Sequence, residues 1–125
     1  MKKTNSILLI EDDPIFSKIF VRDAKNKGLD CTTCRNVDEI ANLISFDFNT
    51  IVIDYNLGVE STRNGLELAE LFSRLGQRAS IVLVSSFNRE EIPGVWPYQI
   101  KNFLCKKAGV ESVVNSIVQI TSQTV

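Results

Sequence analysis

The sequence alternates short apolar runs with segments of helical spacing, and this alternation constrains the fold more than any other feature. The runs are Ile7–Ile10, the more polar Asp30–Cys34, Ile51–Ile53, Ile81–Val84 and Phe103–Cys105. Continuous aliphatic runs are typical of strands buried on both faces, and intervening helices allow such strands to pair in parallel. The pattern predicts five repeats of strand then helix in an α/β fold.

Helical stripes separate these runs in the sequence. They are Phe16, Ile19, Phe20 and Ala24; Val37, Ile40, Ala41 and Ile44; Leu68, Leu71, Phe72 and Leu75; and Val110, Val113, Val114, Ile117 and Ile120. Asn36 with Glu39 resembles a capping box at the start of the second helix, and Gly28 and Gly76 favour helix ends. Because the second run, Asp30–Cys34, is polar, we place this strand at an edge of the sheet. We predict one domain over 1–125, a doubly wound five-stranded parallel sheet of order 2-1-3-4-5 with helices on both faces.

The fourth helix departs from this regularity. The segment after Ser86 reads FNREEIPGVWPYQIKN, in which Asn88 and Glu91 favour a helix start but Pro93–Gly94 follows within a turn. We therefore expect a degenerate fourth helix, with a short turn, an irregular stretch and a second brief turn.

Composition excludes several classes of function. The chain has 125 residues, a net charge of −1 and no histidine. Histidine-based nucleophilic mechanisms and histidine metal sites are therefore excluded, and the charge disfavours nucleic acid or an anionic membrane as a partner. No apolar run approaches a membrane span, and the N-terminus lacks a signal cleavage site, so we expect a cytoplasmic protein.

The three cysteines include a CxxC pattern, CTTC at 31–34. Redox activity would require Cys31 at a helix N-terminus, whereas the surrounding residues predict a strand. A structural zinc site would need four ligands without help from histidine. We favour ordinary strand cysteines.

Charged and hydroxyl side chains follow four of the five predicted strands. Strand 1 ends in Glu11, Asp12 and Asp13, strand 3 in Asp54, strand 4 in Ser85 and Ser86, and strand 5 in Lys106 and Lys107. Ligands of such sheets bind beyond the carboxyl ends of the strands, at the switch point. All-oxygen ligands favour Mg²⁺, or Mn²⁺, over zinc. Asp54 could then attack phosphorus and form an acyl phosphate, with the metal, Ser85 and Lys106 offsetting the charge on the phosphoryl oxygens.

Asp13 has a different predicted role. It directly precedes Pro14, so it suits the N-cap of the first helix with the proline at the first helical position. The acidic run therefore divides into two acids that face the site and one that caps a helix.

Five fragments together resemble the receiver domain of two-component response regulators, which has a chemotaxis-receiver-like, flavodoxin-like fold. They are LLIEDDP, IVIDYNLG, NGLEL, IVLVSS and FLCKK, and they occur in the family's order over nearly the whole chain. The resemblance implies that Asp54 accepts a phosphoryl group from a sensor histidine kinase or a phosphotransfer protein. It also implies that Asp12 binds Mg²⁺ directly, that Glu11 acts through water and that the Asn56 backbone carbonyl is a ligand, beside Asp54.

The resemblance further implies a switch. Ser85 would move toward the phosphoryl group, Lys106 would pair with it, and Phe103 occupies the aromatic position whose rotamer reports activation. Phe103 lacks a tyrosine hydroxyl, so simple packing is the alternative. Such a domain catalyses its own phosphorylation and dephosphorylation, is not an enzyme in the ordinary sense, and signals to a downstream protein.

Three features depart from the family pattern. Lys107 stands where proline usually follows the lysine, and we predict a trans Lys106–Lys107 bond. The loop over 57–63 contains a short insertion, whose Glu60 or Arg63 either reaches the phosphoryl group or is simply solvated. PGVWP at 93–97 makes dimerisation through the usual surface doubtful.

Two alternative functions remain. The first is a pseudo-receiver, an interaction module independent of phosphorylation that binds through the altered fourth helix. The second, a DxD phosphatase, fits poorly because Asn56 stands where the acid/base aspartate would be.

Overall fold

The computed structural model describes residues 5–35, 48–57 and 64–123. Within these ranges five parallel strands form one sheet in the order β2-β1-β3-β4-β5. The strands are β1 (Ser6–Ile10), β2 (Asp30–Cys34), β3 (Thr50–Asp54), β4 (Ser80–Ser85) and β5 (Ile100–Cys105). The predicted order is confirmed, and the polar strand β2 lies at an edge as expected.

Three helices are described, and they cover both faces of the sheet. They are α1 (Pro14–Asn26), α2 (Gly65–Arg74) and α3 (Val110–Gln123). Strand residues that alternate along the chain separate into two cores, because successive side chains point to opposite faces. Leu8, Ile51 and Ile81 pack with α2, whereas Ile7, Val52 and Val82 pack with α1 and α3. The predicted doubly wound architecture is confirmed.

The start of α1 shows why Asp13 has a different role from Glu11 and Asp12. The Asp13 side chain accepts hydrogen bonds from the backbone N–H of Ile15 at 3.0 Å and of Phe16 at 3.3 Å, and Pro14 is the first helical residue. Both predictions for this helix start are confirmed. The cap uses the Asp13 carboxylate, and it fixes the direction in which the chain leaves β1.

Helix α2 begins against the end of β3, where only glycine fits. A Cβ on Gly65 would lie 2.7 Å from the Asp54 carbonyl oxygen and 2.7 Å from the Tyr55 Cα. The Gly65 N–H donates to the Tyr55 carbonyl at 2.8 Å, and Asn64 and Glu67 form a reciprocal capping box. The close approach therefore fixes the backbone beside Asp54.

The segment 86–99, called here the β4–β5 connection, replaces the expected fourth helix. It contains one 3₁₀ turn (Arg89–Glu91) and a second turn at 98–99, as predicted. Ile92 is buried, and the Gln99 side-chain amide donates to the backbone carbonyls of Gln77 at 2.5 Å and Ala79 at 3.3 Å. These contacts anchor the connection, whereas Val95 is 93% exposed.

The structure corrects two details of the helical stripes. Ile19 and Leu75 follow the helical period, but their side chains are 44% and 56% exposed. Ile19 lies at the margin of the apolar face of α1, and Leu75 lies at the C-cap, beyond the last turn of α2. The predicted second helix, with Asn36, falls outside the described residues.

The CxxC residues lie on a strand, as expected. Cys31 packs with the α1 and α3 core, whereas Cys34 packs with the opposite core, so their side chains occupy different faces of the sheet. Burial, followed by the neighbouring charge of Asp30, raises the pKa of the Cys31 thiol to about 12. This environment disfavours the thiolate that redox or metal chemistry requires. No helix within the described ranges has both the length and the hydropathy needed to cross a bilayer.

Candidate functional site

A cleft lies at the carboxyl ends of β1, β3, β4 and β5. It is lined by Glu11, Asp12, Asp13, Asp54, Asn56, Ser85, Ser86, Phe87 and Lys106. These residues are remote in sequence, and they meet because parallel strands bring their carboxyl ends to one edge. The position agrees with the ligand site expected at a topological switch point. We call this set of residues the charged cleft.

Lys106 connects the two innermost carboxylates of the charged cleft. Its Nζ lies 2.6 Å from Glu11 Oε1 and 2.9 Å from Asp54 Oδ2. Glu11 is 2% exposed and Asp54 is 6% exposed, so both acids are largely removed from water. Because the desolvation penalty of a buried charge is large, the ammonium is needed to offset both carboxylates.

The Glu11 carboxyl group is strongly perturbed. Burial is the largest cause, and hydrogen bonding and charge from Asp54 add to it; together they raise the pKa of Glu11 to about 8 despite the opposing effect of Lys106. The Lys106 ammonium therefore does not offset the combined effect of burial and of the Asp54 charge on this carboxyl group. A cation bound beside it would add to that offset.

The Lys106 ammonium is held in its charged form. Burial alone would lower its pKa, but hydrogen bonds and charges from Glu11 and Asp54 outweigh burial and hold the pKa above its usual value. Nζ also lies 4.3 Å from the centroid of the Phe16 ring, on the first turn of α1. The sequence had not pointed to this aromatic contact.

Three carboxylates are placed to hold a metal ion. One oxygen from each of Glu11, Asp12 and Asp54 can be chosen so that all three lie within 4.8 Å of one another. An all-oxygen donor set beside an excess of buried negative charge fits a divalent cation. The residues therefore suit a divalent metal centre at the position that the sequence predicted.

The other predicted residues surround this centre. The Asn56 backbone N–H donates to Asp54 Oδ1 at 3.3 Å, so the turn after β3 contacts the Asp54 carboxylate. Ser85 is 1% exposed, and its Oγ accepts from the Phe87 N–H at 3.0 Å. Both residues line the charged cleft.

Phe103 lies on β5, is half-buried and packs against the core on the α2 side of the sheet. Its ring contacts Trp96 of the β4–β5 connection, with centroids 5.7 Å apart and planes at 59°. The Arg89 guanidinium lies 4.5 Å from the centroid of the Trp96 ring. Phe103 is therefore one of the β5 residues that contact the irregular connection, together with Lys101, whose Nζ lies 4.2 Å from the centroid of the Tyr98 ring.

The departures from the family pattern affect the site differently. No peptide bond within the described ranges is cis, so the predicted trans Lys106–Lys107 bond is confirmed. A 3₁₀ turn over Lys106–Ala108 follows β5, yet Lys106 still reaches both carboxylates. The loop residues Glu60 and Arg63 fall outside the described residues.

Sequence reasoning missed Phe16 and Phe87 at this site. Phe16 was assigned to the apolar stripe of α1, and nothing in its spacing distinguishes a core ring from one that contacts an ammonium. The Phe87 contribution is a backbone N–H, which side-chain patterns do not reveal. Both contacts depend on tertiary geometry.

Comparisons with sequences give no match: neither a protein-family model nor a curated protein matches this chain significantly. Comparisons with solved structures give many matches. A response regulator from Burkholderia pseudomallei, with a phosphorylated aspartic acid, a calcium ion and citrate, is 25% identical with a TM-score of 0.69 over 95% of this chain and 73% of the other.

Two further structures extend this similarity. A response regulator from Thermotoga maritima in complex with Mg²⁺-BeF is 17% identical with a TM-score of 0.74, over 96% of this chain and 99% of the other. A Francisella response regulator receiver domain is 14% identical with a TM-score of 0.77, over 97% of this chain and 99% of the other. The chain has the CheY-like receiver fold of two-component response regulators.

Proposed function

We propose that residues 1–125 are one phosphoacceptor receiver domain, in which a sensor histidine kinase or phosphotransfer protein phosphorylates Asp54. The observation that carries the proposal is the Lys106 ammonium, which contacts both Asp54 and the buried Glu11. It supplies positive charge where phosphoryl oxygens would gather. The same carboxylates and Asp12 form the candidate metal centre.

The residues have complementary roles in phosphoryl transfer. One Asp54 carboxylate oxygen attacks phosphorus, the bond from phosphorus to the donor breaks, and its electron pair leaves with the donor. Lys106 offsets charge on the phosphoryl oxygens, and the Ser85 hydroxyl supplies a hydrogen-bond donor. Mg²⁺, when bound, would add charge neutralisation; Glu11, Asp12, Asp54 and the Asn56 carbonyl would hold it.

Output would follow from a change of charge at Asp54. Phosphorylation would draw the Ser85 hydroxyl toward the phosphoryl group, and this would alter the packing of β4 against Phe103 and the β4–β5 connection. A downstream protein would then bind one of the two arrangements better than the other. In this role the domain acts as a switch that also promotes its own dephosphorylation.

The experiment is incubation with Mg²⁺ and acetyl phosphate, followed by intact-mass spectrometry. We expect a gain of one phosphoryl group in the wild type and none in Asp54→Asn or with chelator present. Asp23→Asn, which alters a carboxylate on α1 remote from the cleft, serves as the matched control and should be phosphorylated normally. A wild type that never gains the group would overturn the proposal.

A second candidate is an interaction module that works without phosphorylation. The observation that favours it is the exposure of large apolar side chains on the β4–β5 connection, where Val95 is 93% and Tyr98 is 83% exposed. A partner that bound equally to the wild type and to Asp54→Asn, with or without Mg²⁺ and acetyl phosphate, would support this candidate. Binding that depended on phosphorylation would contradict it.

A further inference from the structure

We propose that Phe16 is a positioning residue of the phosphoacceptor site, which holds the Lys106 ammonium against its ring by a cation–π contact. The inference rests on the proposed function, since Lys106 matters there because it stabilises the phosphoryl group. Nζ lies 4.3 Å from the ring centroid, and Phe16 is 9% exposed. At this distance from an ammonium, an aromatic face is attractive, and more so when it is desolvated.

Lys106 needs such a contact because its backbone position alone does not fix the ammonium. A lysine side chain is flexible and has three rotatable donors. Lys106 begins a 3₁₀ turn whose next residue, Lys107, is exposed. Its other close contacts are the carboxylates of Glu11 and Asp54. The ring is therefore the uncharged contact that helps to fix this ammonium.

Phosphorylation changes the charged partners of Lys106 but not its ring contact. When an Asp54 oxygen becomes bonded to phosphorus, the negative charge that faces Lys106 moves from the carboxylate to the phosphoryl oxygens, and the ammonium has to follow it. The Phe16 ring takes no part in the reaction and keeps its attraction for the ammonium. Phe16 thus holds Lys106 beside the phosphoryl group while the charges around it change.

Phe16 is held at two points, one on its backbone and one on its ring. The backbone N–H of Phe16 donates to Asp13 Oδ1 at 3.3 Å, and the ring packs against Phe20 with centroids 6.1 Å apart. Phe20 is fully buried and one turn further along α1. Asp13 lines the charged cleft, and it also supports the site through the helix turn that it caps, which carries Phe16.

The test replaces Phe16 with 3,4,5-trifluorophenylalanine, which keeps the ring's shape but weakens the negative potential over its face. We expect the rate of Asp54 phosphorylation by acetyl phosphate, at saturating Mg²⁺, to fall about three- to tenfold. Mono- and difluorinated rings should give intermediate rates. The matched control is the same substitution at Phe20, which we expect to leave the rate within about twofold.

A second measurement does not require phosphorylation. In the metal-free protein, NMR signals of the Lys106 ε-methylene protons should be shifted upfield by the Phe16 ring current. The shift should disappear in Phe16→Leu and persist in Phe16→Tyr and in Phe72→Leu, which alters a buried ring in the opposite core. Thermal melting of each variant shows whether rate changes simply follow stability.

The outcomes separate the two proposals. A wild type that is not phosphorylated overturns the proposed function, while the ring-current shift still decides whether Phe16 holds Lys106. A wild type that is phosphorylated at the same rate with every fluorinated ring at position 16 overturns the positioning role. Equal loss at positions 16 and 20 overturns it too, because the effect would then be one of packing.

Discussion

The charged cleft and the β4–β5 connection meet at Ser86 and Phe87, which belong to both, yet different forces hold the rest of each region. The innermost groups of the cleft are polar and little exposed, with Glu11 at 2% and Asp54 at 6%, and Lys106 joins these two. The connection is anchored by Ile92 and Gln99, and it leaves Val95 almost fully exposed. The comparison indicates that changes in the cleft alter both stability and chemistry, whereas changes in the exposed part of the connection alter neither.

The largest effect is expected from loss of the Lys106 ammonium. Lys106→Met should lower the free energy of unfolding by about 3 kcal/mol, because it leaves two buried carboxylates without their cation. Phosphorylation by acetyl phosphate should slow by about 10²-fold or more. Urea denaturation in chelator and intact-mass time courses measure the two effects.

The matched control for this change is the adjacent residue. Lys107 is exposed, so Lys107→Met should change stability by less than about 0.5 kcal/mol and leave phosphorylation almost unchanged. Equal effects of the two substitutions would show that the general charge of this turn, rather than the Lys106 contacts, is what matters. That result would contradict the claim that buried contacts in the cleft matter more than exposed charges near it.

A pH effect should come next in size. The folded-state pKa of Glu11, about 8, lies above its ordinary value of 4.5, so between these values the native state binds a proton that the unfolded chain does not. Stability from this group is therefore fully present below about pH 4.5 and is lost as pH rises toward 8. Urea melts in chelator across this range should show the fall.

Two comparisons isolate the contribution of Glu11. Glu11→Gln should remove the fall, and because the chain has no histidine, few other side chains titrate in this range. Mg²⁺ should oppose the fall in the wild type, since it binds ionised carboxylates. A wild type whose stability rose with pH over this interval in chelator would contradict the assignment.

The two neighbouring acids Asp12 and Asp13 should separate metal binding from folding. Asp13→Ala should lower the free energy of unfolding by about 1 kcal/mol through loss of the α1 cap, and should leave Mg²⁺ affinity nearly intact. Asp12→Ala should weaken Mg²⁺ binding instead. Calorimetric titration measures Mg²⁺ affinity, and urea melts measure stability. Loss of Mg²⁺ affinity in Asp13→Ala would show that Asp13 binds the metal, so its assignment as a helix cap alone would be wrong.

The smallest effects are expected on the connection. Val95→Ser and Tyr98→Ser should each change stability by less than about 0.5 kcal/mol, because these side chains are 93% and 83% exposed. Phosphorylation rates should match the wild type. Ile92→Ala, at a buried anchor of the same segment, should lower the free energy of unfolding by about 2 kcal/mol or more in a urea melt. Equal effects at all three positions would contradict the distinction between buried and exposed side chains of the connection.

The sequence predicted the parts of the site that follow from topology. Strand ends in a parallel sheet meet at one edge, so Glu11, Asp54 and Lys106 could be placed together from spacing alone. The Asp13–Pro14 helix start was predictable because capping is local. Periodicity, by contrast, overestimated the burial of Ile19, because it does not show how far the apolar face of a helix is covered.

Contacts that depend on side-chain packing between elements could not be predicted. The Phe16 ring reaches Lys106 across the space between α1 and the end of β5, and Trp96 reaches Phe103 from an irregular segment. No rule of sequence spacing predicts either of these two contacts. The same limit applies to Gln99, whose backbone contacts fix the end of the connection.

The most direct test of the central claim is to locate the phosphoryl group. Borohydride reduction converts an aspartyl phosphate into homoserine, and tandem mass spectrometry of the digested protein identifies its position. After reaction with Mg²⁺ and acetyl phosphate, we expect homoserine at position 54 in the wild type and in Lys107→Met. Modification of another aspartate, or none at all, would contradict the claim that the Lys106-linked carboxylates form a phosphoacceptor site.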